Sequence, residues 1–294
     1  MNSPTPPKNP LQAWLLLVLL ALIWGSSFIL IKKSLVVFSA VEASAGRLFF
    51  GFLFFLPVIV RSFRQMPRDR VPYLVVSALS GYVIPAFLFS FAGTRLNSSL
   101  SGMLNSLSPL FTLLIGILFF GQPKRSSQFM GILLGLLGSS LLIFSRNTGQ
   151  INISDPYVFL ILTATVLYGI NINNVVQNLS HLPALNMAAY TFIFIGPLAF
   201  VILLGTDFFS KITNPENLQP SFCLFLLGIL GSGLASIVFN RVVQLASGLF
   251  ASSVTYLIPI VALFWGLIDH EQVTLQHYAG MAVILSGVYL VNRR

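Results

Sequence analysis

Long apolar stretches follow one another along almost the whole chain, and short turns rich in Pro, Gly, Asn and charge separate them. An α-helix rises about 1.5 Å per residue, so roughly 20 apolar residues suffice to cross the hydrocarbon of a bilayer. We therefore predict ten membrane-spanning helices, called spans 1 to 10. Their expected bounds are 11–31, 38–60, 71–92, 97–120, 127–145, 156–177, 184–205, 220–242, 247–268 and 274–291.

Span 4 carries a polar stripe on an otherwise apolar helix. Its members, at steps of three and four residues, are Ser98, Ser101, Asn105, Ser108 and Thr112. This spacing places them on one helical face, and because lipid offers such a face no partner, we expect it to point into the protein. Pro109 lies in the same span, where it removes a backbone donor and leaves a carbonyl for a hydroxyl, water or ligand to satisfy.

The same design returns about 150 residues later in the chain. The correspondences are Pro109 with Pro259, Asn105 with Thr255, Gly116 with Gly266 and, after a one-residue slip, Gln122 with Glu271. A weaker echo relates the fronts of the two halves, Trp24-Gly25-Ser26-Ser27 and Tyr168-Gly169-Ile170-Asn171. Several matches at a nearly constant offset indicate an internal repeat.

The repeat divides the chain into two similar halves. We predict a disordered tail over 1–10, a first five-helix repeat over 11–146 and a second over 155–292. Because each repeat has an odd number of spans, the second enters the membrane from the opposite side. The predicted fold is an all-α integral membrane protein whose ten transmembrane helices form two inverted five-helix repeats. Secondary transporters often use this layout, with a site near the midplane between the repeats.

Composition supports a membrane location and argues against other classes. Hydrophobic residues make up 56% of the chain and charged residues 8%, and the mean hydropathy is +0.89, whereas soluble domains contain about 25% charged residues. The formal net charge of +9 does not indicate a nucleic-acid partner, because most basic residues lie in short turns beside apolar runs. The single cysteine, Cys223, lies in an apolar run and is read as a small buried hydrophobe.

The distribution of Lys and Arg predicts the orientation. With the N-terminus inside, the cytoplasmic segments carry ten basic residues and the opposite segments carry five. We therefore predict an integral protein of the plasma (inner) membrane with both termini in the cytoplasm. Lys32 and Lys33, at the end of span 1, disagree with this rule.

Four short motifs, taken together, are specific to one known family. They are Trp24-Gly25-Ser26-Ser27-Phe28, Gly46-Arg47-Leu48-Phe49, Ser108-Pro109-Leu110-Phe111 and Ile258-Pro259-Ile260. On these motifs the chain resembles the EamA family of the drug/metabolite transporter superfamily. The resemblance implies ten helices in two inverted repeats and the export of amino acids, other small metabolites or drugs. One departure is visible: the family has Gly-Glu after its fourth and ninth helices, and here Glu271 follows span 9 but Gln122 follows span 4.

Polar and amphipathic side chains within the spans are the candidate substrate contacts, since a buried carboxamide needs several partners or water. The candidates are Trp24, Ser27, Tyr82, Ser101, Asn105, Tyr168, Asn171, Asn174, Ser232, Thr255 and Tyr256. Helix packing through small residues is the alternative for span 8, and an interfacial aromatic belt is the alternative for the Trp and Tyr residues. We expect the cavity between spans 1, 3, 4, 6, 8 and 9, with spans 5 and 10 as outer support.

Arg47 is the one charge that lies clearly within a span. Burying an Arg in a membrane is costly, so we expect it either to anchor neighbouring carbonyls or to attract an anionic substrate group. Pro109, Pro259 and Glu271 join it as candidate structural or gating residues. No Asp or Glu lies in the middle third of any span, which favours facilitated diffusion or exchange over proton antiport.

These observations predict a secondary transporter that exports small neutral or zwitterionic metabolites, such as amino acids or related amphipathic compounds, by alternating access. A non-selective channel and a multidrug-type efflux facilitator stay open as alternatives, because polar stripes also suit a pore. No catalytic or metal-binding constellation can be assembled, so we expect no enzyme, no metal and no cofactor. The expected partners are a small-molecule metabolite and the lipid bilayer, and the sequence leaves monomer and homodimer open.

Overall fold

The computed structural model describes residues 10–122, 156–246, 248–252, 254–271 and 275–292, with isolated residues between 130 and 141. Regular structure in these residues is helical, which confirms the all-α prediction. Eight helical stretches are long and apolar enough to cross a membrane: Leu11–Ser34, Ala40–Gln65, Arg68–Gly93, Ser98–Phe119, Pro156–Leu179, Ala184–Leu204, Pro215–Leu245 and Phe250–Ile268. They correspond to spans 1 to 4 and 6 to 9.

The remaining predicted segments are only partly covered. Span 10 forms the helix Leu275–Asn292, which packs against span 9. Predicted span 5, at 127–145, lies outside the described residues apart from isolated positions. The predicted tail over 1–10 also lies outside them, except that Pro10 begins the helix of span 1.

Span 1 is the helix Pro10–Ser34 and span 7 the helix Ala184–Leu204. Span 2 begins with the helix Ala40–Ser62, whose first turn is closed by a reciprocal cap: Ser39 Oγ accepts from the Glu42 N–H, and Glu42 accepts from the Ser39 N–H. The connections contain shorter helices, at Phe63–Gln65, Arg68–Arg70, Phe208–Thr213 and Pro215–Asn217.

Within the described residues, three spans contain a π-helical segment, a wider turn that is frequent at functional sites. In span 3, the helices Val71–Ala78 and Ile84–Gly93 flank the π-helix Leu79–Val83. In span 8, the helices Leu218–Leu226 and Ala235–Leu245 flank the π-helix Leu227–Leu234. Span 6 is the helix Pro156–Asn174 followed by the π-helix Val175–Leu179.

Span 4 is broken into the helices Ser98–Asn105 and Ser108–Phe119. Pro109 lies in the first turn of the second helix, where a missing N–H is tolerated. The Asn105 carbonyl, which stands four residues before this proline, accepts from Ser108 Oγ at 2.7 Å. The expectation that Pro109 leaves a carbonyl for a hydroxyl is therefore confirmed. Span 9 consists of the helices Gly248–Ser252 and Val254–Ile268, and Pro259 lies inside the second.

Glycines allow close contacts between the two halves of the chain, and Gly25 and Gly169 are two examples. Span 1 packs against span 9 and span 6 packs against span 4. A Cβ atom on Gly25 would lie 2.5 Å from Val261 Cβ, and one on Gly169 would lie 2.8 Å from the carbonyl carbon of Phe111. Real Cβ atoms do not approach other atoms so closely, so both contacts require glycine.

The distribution of polar and apolar residues is that of a protein surrounded by lipid. Large apolar side chains such as Val60 (73% exposed) and Leu275 (84% exposed) lie on the outside. Ser, Thr and Asn side chains of the polar stripes, including Asn105, Asn171 and Thr112, are buried. The polar stripe of span 4 therefore points into the protein, as its spacing predicted.

Candidate functional site

A cavity of about 100 Å³ lies between spans 1, 2, 3, 4, 6, 8 and 9. Its polar and aromatic lining consists of Trp24, Ser27, Phe28, Arg47, Tyr82, Phe89, Asn105, Ser108, Tyr168, Asn171, Ser232, Phe239, Ser252 and Thr255. Span 2, which contributes Arg47 and Leu48, is a wall that the sequence analysis did not include. The described residues of span 10 do not reach the cavity, which agrees with the outer position expected for that span.

Most of the candidate residues meet at this cavity. Those that line it are Trp24, Ser27, Tyr82, Asn105, Tyr168, Asn171, Ser232 and Thr255. They come from six spans and both halves of the chain. Ser108 and Ser252, which the sequence analysis did not select, also line it. Ser108 belongs to the polar stripe of span 4, and Ser252 lies three residues before Thr255 in span 9, so helical spacing could have identified both.

Three candidates lie outside the main cavity. Ser101 lines a smaller adjoining cavity together with Lys32 and Ser98. Asn174 donates its amide to the Tyr73 carbonyl at 2.9 Å, which ties span 6 to span 3. Tyr256 is half-buried and packs against the hydrophobic core.

Asn105 and Asn171 present unused amide donors to the cavity. Asn171 Oδ1 accepts from Ser77 Oγ, whereas the single hydroxyl proton of Ser108 goes to the Asn105 carbonyl at 2.7 Å rather than to Asn105 Oδ1 at 3.3 Å. The oxygen of Asn171 therefore has a hydroxyl donor, and both amides belong to residues that line the cavity. Among the described residues, neither amide nitrogen donates to a protein acceptor. Both N–H groups are available to an acceptor on a ligand.

Arg47 lies on the cavity wall, held by span 8. Its Nε donates to Ser232 Oγ at 3.1 Å, and Ser232 belongs to the π-helix of span 8. No acidic residue that the structure describes pairs with this guanidinium. Glu42, five residues earlier on span 2, instead pairs with Lys211 at 2.7 Å. The positive charge of Arg47 is therefore left to the cavity.

The π-helix of span 8 also supplies a backbone acceptor. Trp24 Nε1 donates to the Gly231 carbonyl at 3.1 Å, which fixes the indole against span 8. The Trp24 ring packs against Phe239, with ring centroids 5.5 Å apart. On the other side, Tyr168 stacks on Phe89 at 6.0 Å. These rings give the cavity an aromatic wall beside its polar groups.

At one end of the protein, charged and hydroxyl groups form a cluster that we call the latch: Lys32, Lys33, Ser98, Ser99, Asp269 and Glu271. Glu271 Oε1 accepts from Lys32 Nζ at 2.8 Å and from Ser98 Oγ at 2.7 Å, and Oε2 accepts from Ser99 Oγ at 2.6 Å. The carboxylate also accepts from the backbone N–H groups of Ser98 and Ser99, at the N-terminus of span 4. Asp269 pairs with both lysines.

The latch joins spans 1 and 4 to the turn after span 9. The side chain of Glu271 is only 4% exposed, so its hydrogen bonds are shielded from water. Ion pairing also gives Lys32 and Lys33 a structural role at the position where the orientation rule expects few basic residues. The presence of Lys32 and Lys33 at this end of span 1 is thus explained by their ion pairs and does not require the opposite membrane orientation.

The turns after spans 4 and 9 have the same construction. Gly121 and His270 adopt left-handed φ values of 64° and 57°. The residues that follow them, Gln122 and Glu271, fold back onto the ends of their own helices. Gln122 Nε2 donates to Asn173 Oδ1 at 2.9 Å, which ties the first turn to span 6. In this first turn, a hydrogen bond between two neutral amide side chains takes the place that ion pairs have in the latch.

Comparison with known proteins agrees with this architecture. The sequence model of the EamA-like transporter family matches the chain twice, over residues 11–144 and 155–293. The chain belongs to this family. The family expectation is thereby confirmed, and the protein is an integral membrane transporter with a small-molecule substrate. Members of this family are transporters rather than enzymes.

Several EamA-like relatives align over nearly their whole length. "Uncharacterized transporter YoaV" of Bacillus subtilis is 24% identical, covering 93% of this chain and 94% of its own. The "Probable terminal-alkyne amino-acid exporter" of Streptantibioticus cattleyicolor is 23% identical, covering 95% and 92%. The "Probable amino-acid metabolite efflux pump" of Salmonella typhimurium is 24% identical, covering 94% and 93%. A solved crystal structure shares the fold, with a TM-score of 0.67, 16% identity and coverage of 95% and 96%.

The ionisation of Glu271 makes the latch sensitive to acid. Burial opposes the ionised form, but hydrogen bonds from Lys32, Ser99 and Ser98 outweigh burial and lower the pKa of Glu271 from 4.5 to about 2. The hydrogen bonds from Lys32 and Lys33 likewise lower the pKa of Asp269. Because the folded state binds these protons more weakly than the unfolded state, the latch stabilises the protein above the unfolded pKa values.

We expect the melting temperature of the detergent-purified protein to be nearly constant from about pH 7 to pH 5. It should then fall as the pH decreases from 4.5 towards 2, where Glu271 loses its charge in the folded protein. Thermal unfolding across this range measures the effect. The Glu271→Gln variant should show a shallower acid fall than the wild type, and equal slopes for the two proteins would contradict the assignment.

Proposed function

We propose that this protein is a secondary exporter of small metabolites of the amino-acid type. The main support is one cavity on which the unused amide donors of Asn105 and Asn171, the Arg47 guanidinium and an aromatic wall meet. Its volume of about 100 Å³ is small beside the roughly 300–1,000 Å³ of sites for drug-sized ligands. A small metabolite therefore suits it better than a large drug. The relatives named for amino-acid export are consistent with this substrate class.

We further propose the ten-helix arrangement of two inverted repeats, over 11–146 and 155–292. The double match to the family supports it, and so does a pair of equivalent contacts. A Cβ on Gly81 would lie 2.4 Å from Asn171 Nδ2, and a Cβ on Gly231 would lie 2.9 Å from Ser27 Oγ. Both glycines lie in π-helices of the third helix of a half, and both partners lie in the first helix of the other half. Such exchanged contacts are expected of two related halves.

In this proposal transport occurs by alternating access, and the latch acts as a gate. The small cavity that contains Ser101 lies next to the main cavity and includes the latch residues Lys32 and Ser98. It therefore marks a route from the site to the latch end. With both termini in the cytoplasm, the latch faces outward and must open for release. Because no acidic residue among those described lines the cavity, we propose that transport occurs by facilitated diffusion or exchange rather than by proton antiport.

Transport by purified protein in liposomes tests the proposal. We expect uptake of radiolabelled amino acids or their acyl derivatives to saturate and to be reduced by unlabelled competitors. Asn171→Ala should reduce the rate at least about tenfold, because it removes a donor to the substrate at a desolvated site. Gln177→Ala, on the exposed side of span 6, is the matched control and should transport as the wild type does. Flux that rises linearly with substrate concentration and is not reduced by competitors would indicate a channel instead.

A further inference from the structure

The charge balance of the cavity determines which kind of small metabolite fits it. We infer that the substrate is an organic anion whose carboxylate is bound by Arg47 and whose amine, where it has one, is uncharged or acylated. This inference rests on the proposed export function and narrows it. It replaces the neutral or zwitterionic substrate that the sequence alone suggested.

The first step is the uncompensated charge of Arg47. One guanidinium nitrogen, Nε, donates to the neutral hydroxyl of Ser232 at 3.1 Å. The other nitrogens contact no carboxylate among the described residues, although a guanidinium can bind a carboxylate through two parallel bonds. A charge held away from water without a partner is costly. A carboxylate on the substrate would compensate it.

The second step is the nature of the other polar groups. Asn171 uses its amide oxygen for the Ser77 hydroxyl, and among the described residues neither Asn105 nor Asn171 uses its amide nitrogen, so both can offer the cavity N–H donors. Donors suit carboxylate oxygens and repel an ammonium group. The described acidic residues lie elsewhere: Glu42 pairs with Lys211, Asp69 pairs with Arg70, Asp269 and Glu271 belong to the latch, and Asp207 and Glu216 lie in the connection between spans 7 and 8.

The third step concerns the amine of a zwitterionic amino acid. In the described lining, an ammonium group would find aromatic faces such as Trp24, Tyr168 and Phe89, but no carboxylate. Attraction between a cation and a ring compensates only part of the cost of removing an ammonium from water. An acylated amine has no such cost, and the same rings favour an apolar body. Net charge, rather than amino-acid identity, should therefore control binding.

Four leucine derivatives separate these possibilities because they differ mainly in charge: N-acetyl-leucine (anion), leucine (zwitterion), leucinamide (cation) and N-acetyl-leucinamide (neutral). Binding to the detergent-purified full chain can be measured by calorimetry, and uptake by proteoliposomes. We expect N-acetyl-leucine to bind at least about tenfold more tightly than each of the other three, as a charge-assisted hydrogen bond predicts.

Two Arg47 variants test the role of the guanidinium. Arg47→Gln should remove the preference for N-acetyl-leucine over N-acetyl-leucinamide, whereas Arg47→Lys should keep part of it because the charge remains. A merely structural Arg47 would instead weaken the binding of all four compounds alike, and that result would overturn the inference.

Measurements on the wild-type protein alone also test whether the substrate is an anion, even if an Arg47 variant does not fold. If leucine is bound and transported as well as N-acetyl-leucine, the inference is overturned and the proposed export function stands. If none of the four compounds binds or moves, both are overturned. Preferential transport of N-acetyl-leucine supports both.

Discussion

Replacing Glu271 with alanine is expected to lower the melting temperature of the purified protein by at least about 5 °C, because several donors lose a nearly buried acceptor and each such loss costs about 1 to 3 kcal/mol. The change removes one of the two carboxylate partners of Lys32, and it removes the acceptor of two serine hydroxyls and of two backbone N–H groups at the start of span 4. The start of span 4 then loses its hydrogen bonds to the turn after span 9, while span 1 keeps the ion pairs of Lys32 and Lys33 with Asp269. Thermal unfolding in detergent measures the effect.

Two comparisons make this result specific to the latch. Glu271→Gln keeps one carbonyl acceptor and should lie between the wild type and Glu271→Ala. Glu216→Ala removes an exposed carboxylate from a loop and should leave the melting temperature unchanged. If the variants at positions 216 and 271 shifted the melting temperature equally, the latch would not be a stabilising element. If the latch is also the gate, Glu271→Ala should alter transport rates at temperatures where the variant is folded.

Replacing Gly169 with alanine is expected to destabilise the protein by about 2 to 3 kcal/mol, the upper part of the usual range for overpacking. A Cβ at this position would lie 2.8 to 2.9 Å from backbone atoms of Phe111 and Thr112. Backbone atoms cannot rotate away as a flexible side chain can, so spans 4 and 6 must separate. Because both spans line the cavity, we expect transport to fall as well. Unfolding and proteoliposome uptake measure the two effects.

The control for this variant is Gly205→Ala. The nearest atom to a Cβ on Gly205 is the Ile202 carbonyl oxygen at 3.6 Å, an ordinary contact. Its φ of −87° is also open to alanine. We expect no loss of stability at position 205. A melting temperature for Gly169→Ala equal to that of Gly205→Ala would show that the contact between spans 4 and 6 tolerates a methyl group.

The sequence predicted the cavity residues where helical spacing and polarity coincided. Asn105 and Asn171 were selected because a carboxamide on an apolar helix needs partners, and both line the cavity. Asn174 has the same chemistry and nearly the same position, yet it binds the Tyr73 carbonyl instead. Polarity indicates that a residue points inward, but it does not distinguish a cavity wall from a tie between two helices.

The role of Arg47 needed the tertiary structure for a similar reason. Its sequence neighbourhood left anchoring and substrate attraction equally open. The partner, Ser232, lies 185 residues away, in a π-helix of span 8. The extra residue that widens an α-helix into a π-helix leaves no strong sequence pattern. The contact between Arg47 and Ser232 could therefore not be predicted from the sequence. The absence of a described carboxylate beside Arg47 likewise depends on how the spans are arranged around it.

Local properties of the chain, which the sequence contains in full, determined the membrane location, most span bounds, the carbonyl freed near Pro109 and the family. Apolar length, helical spacing and the missing proline donor act within a few residues of each other. Pairings between distant residues were decided only by the tertiary structure. Lys32 meets Glu271 across 239 residues, and the packing of spans 1 and 4 against span 9 brings them together. Contact between distant side chains depends on helix packing as a whole, which no local pattern encodes.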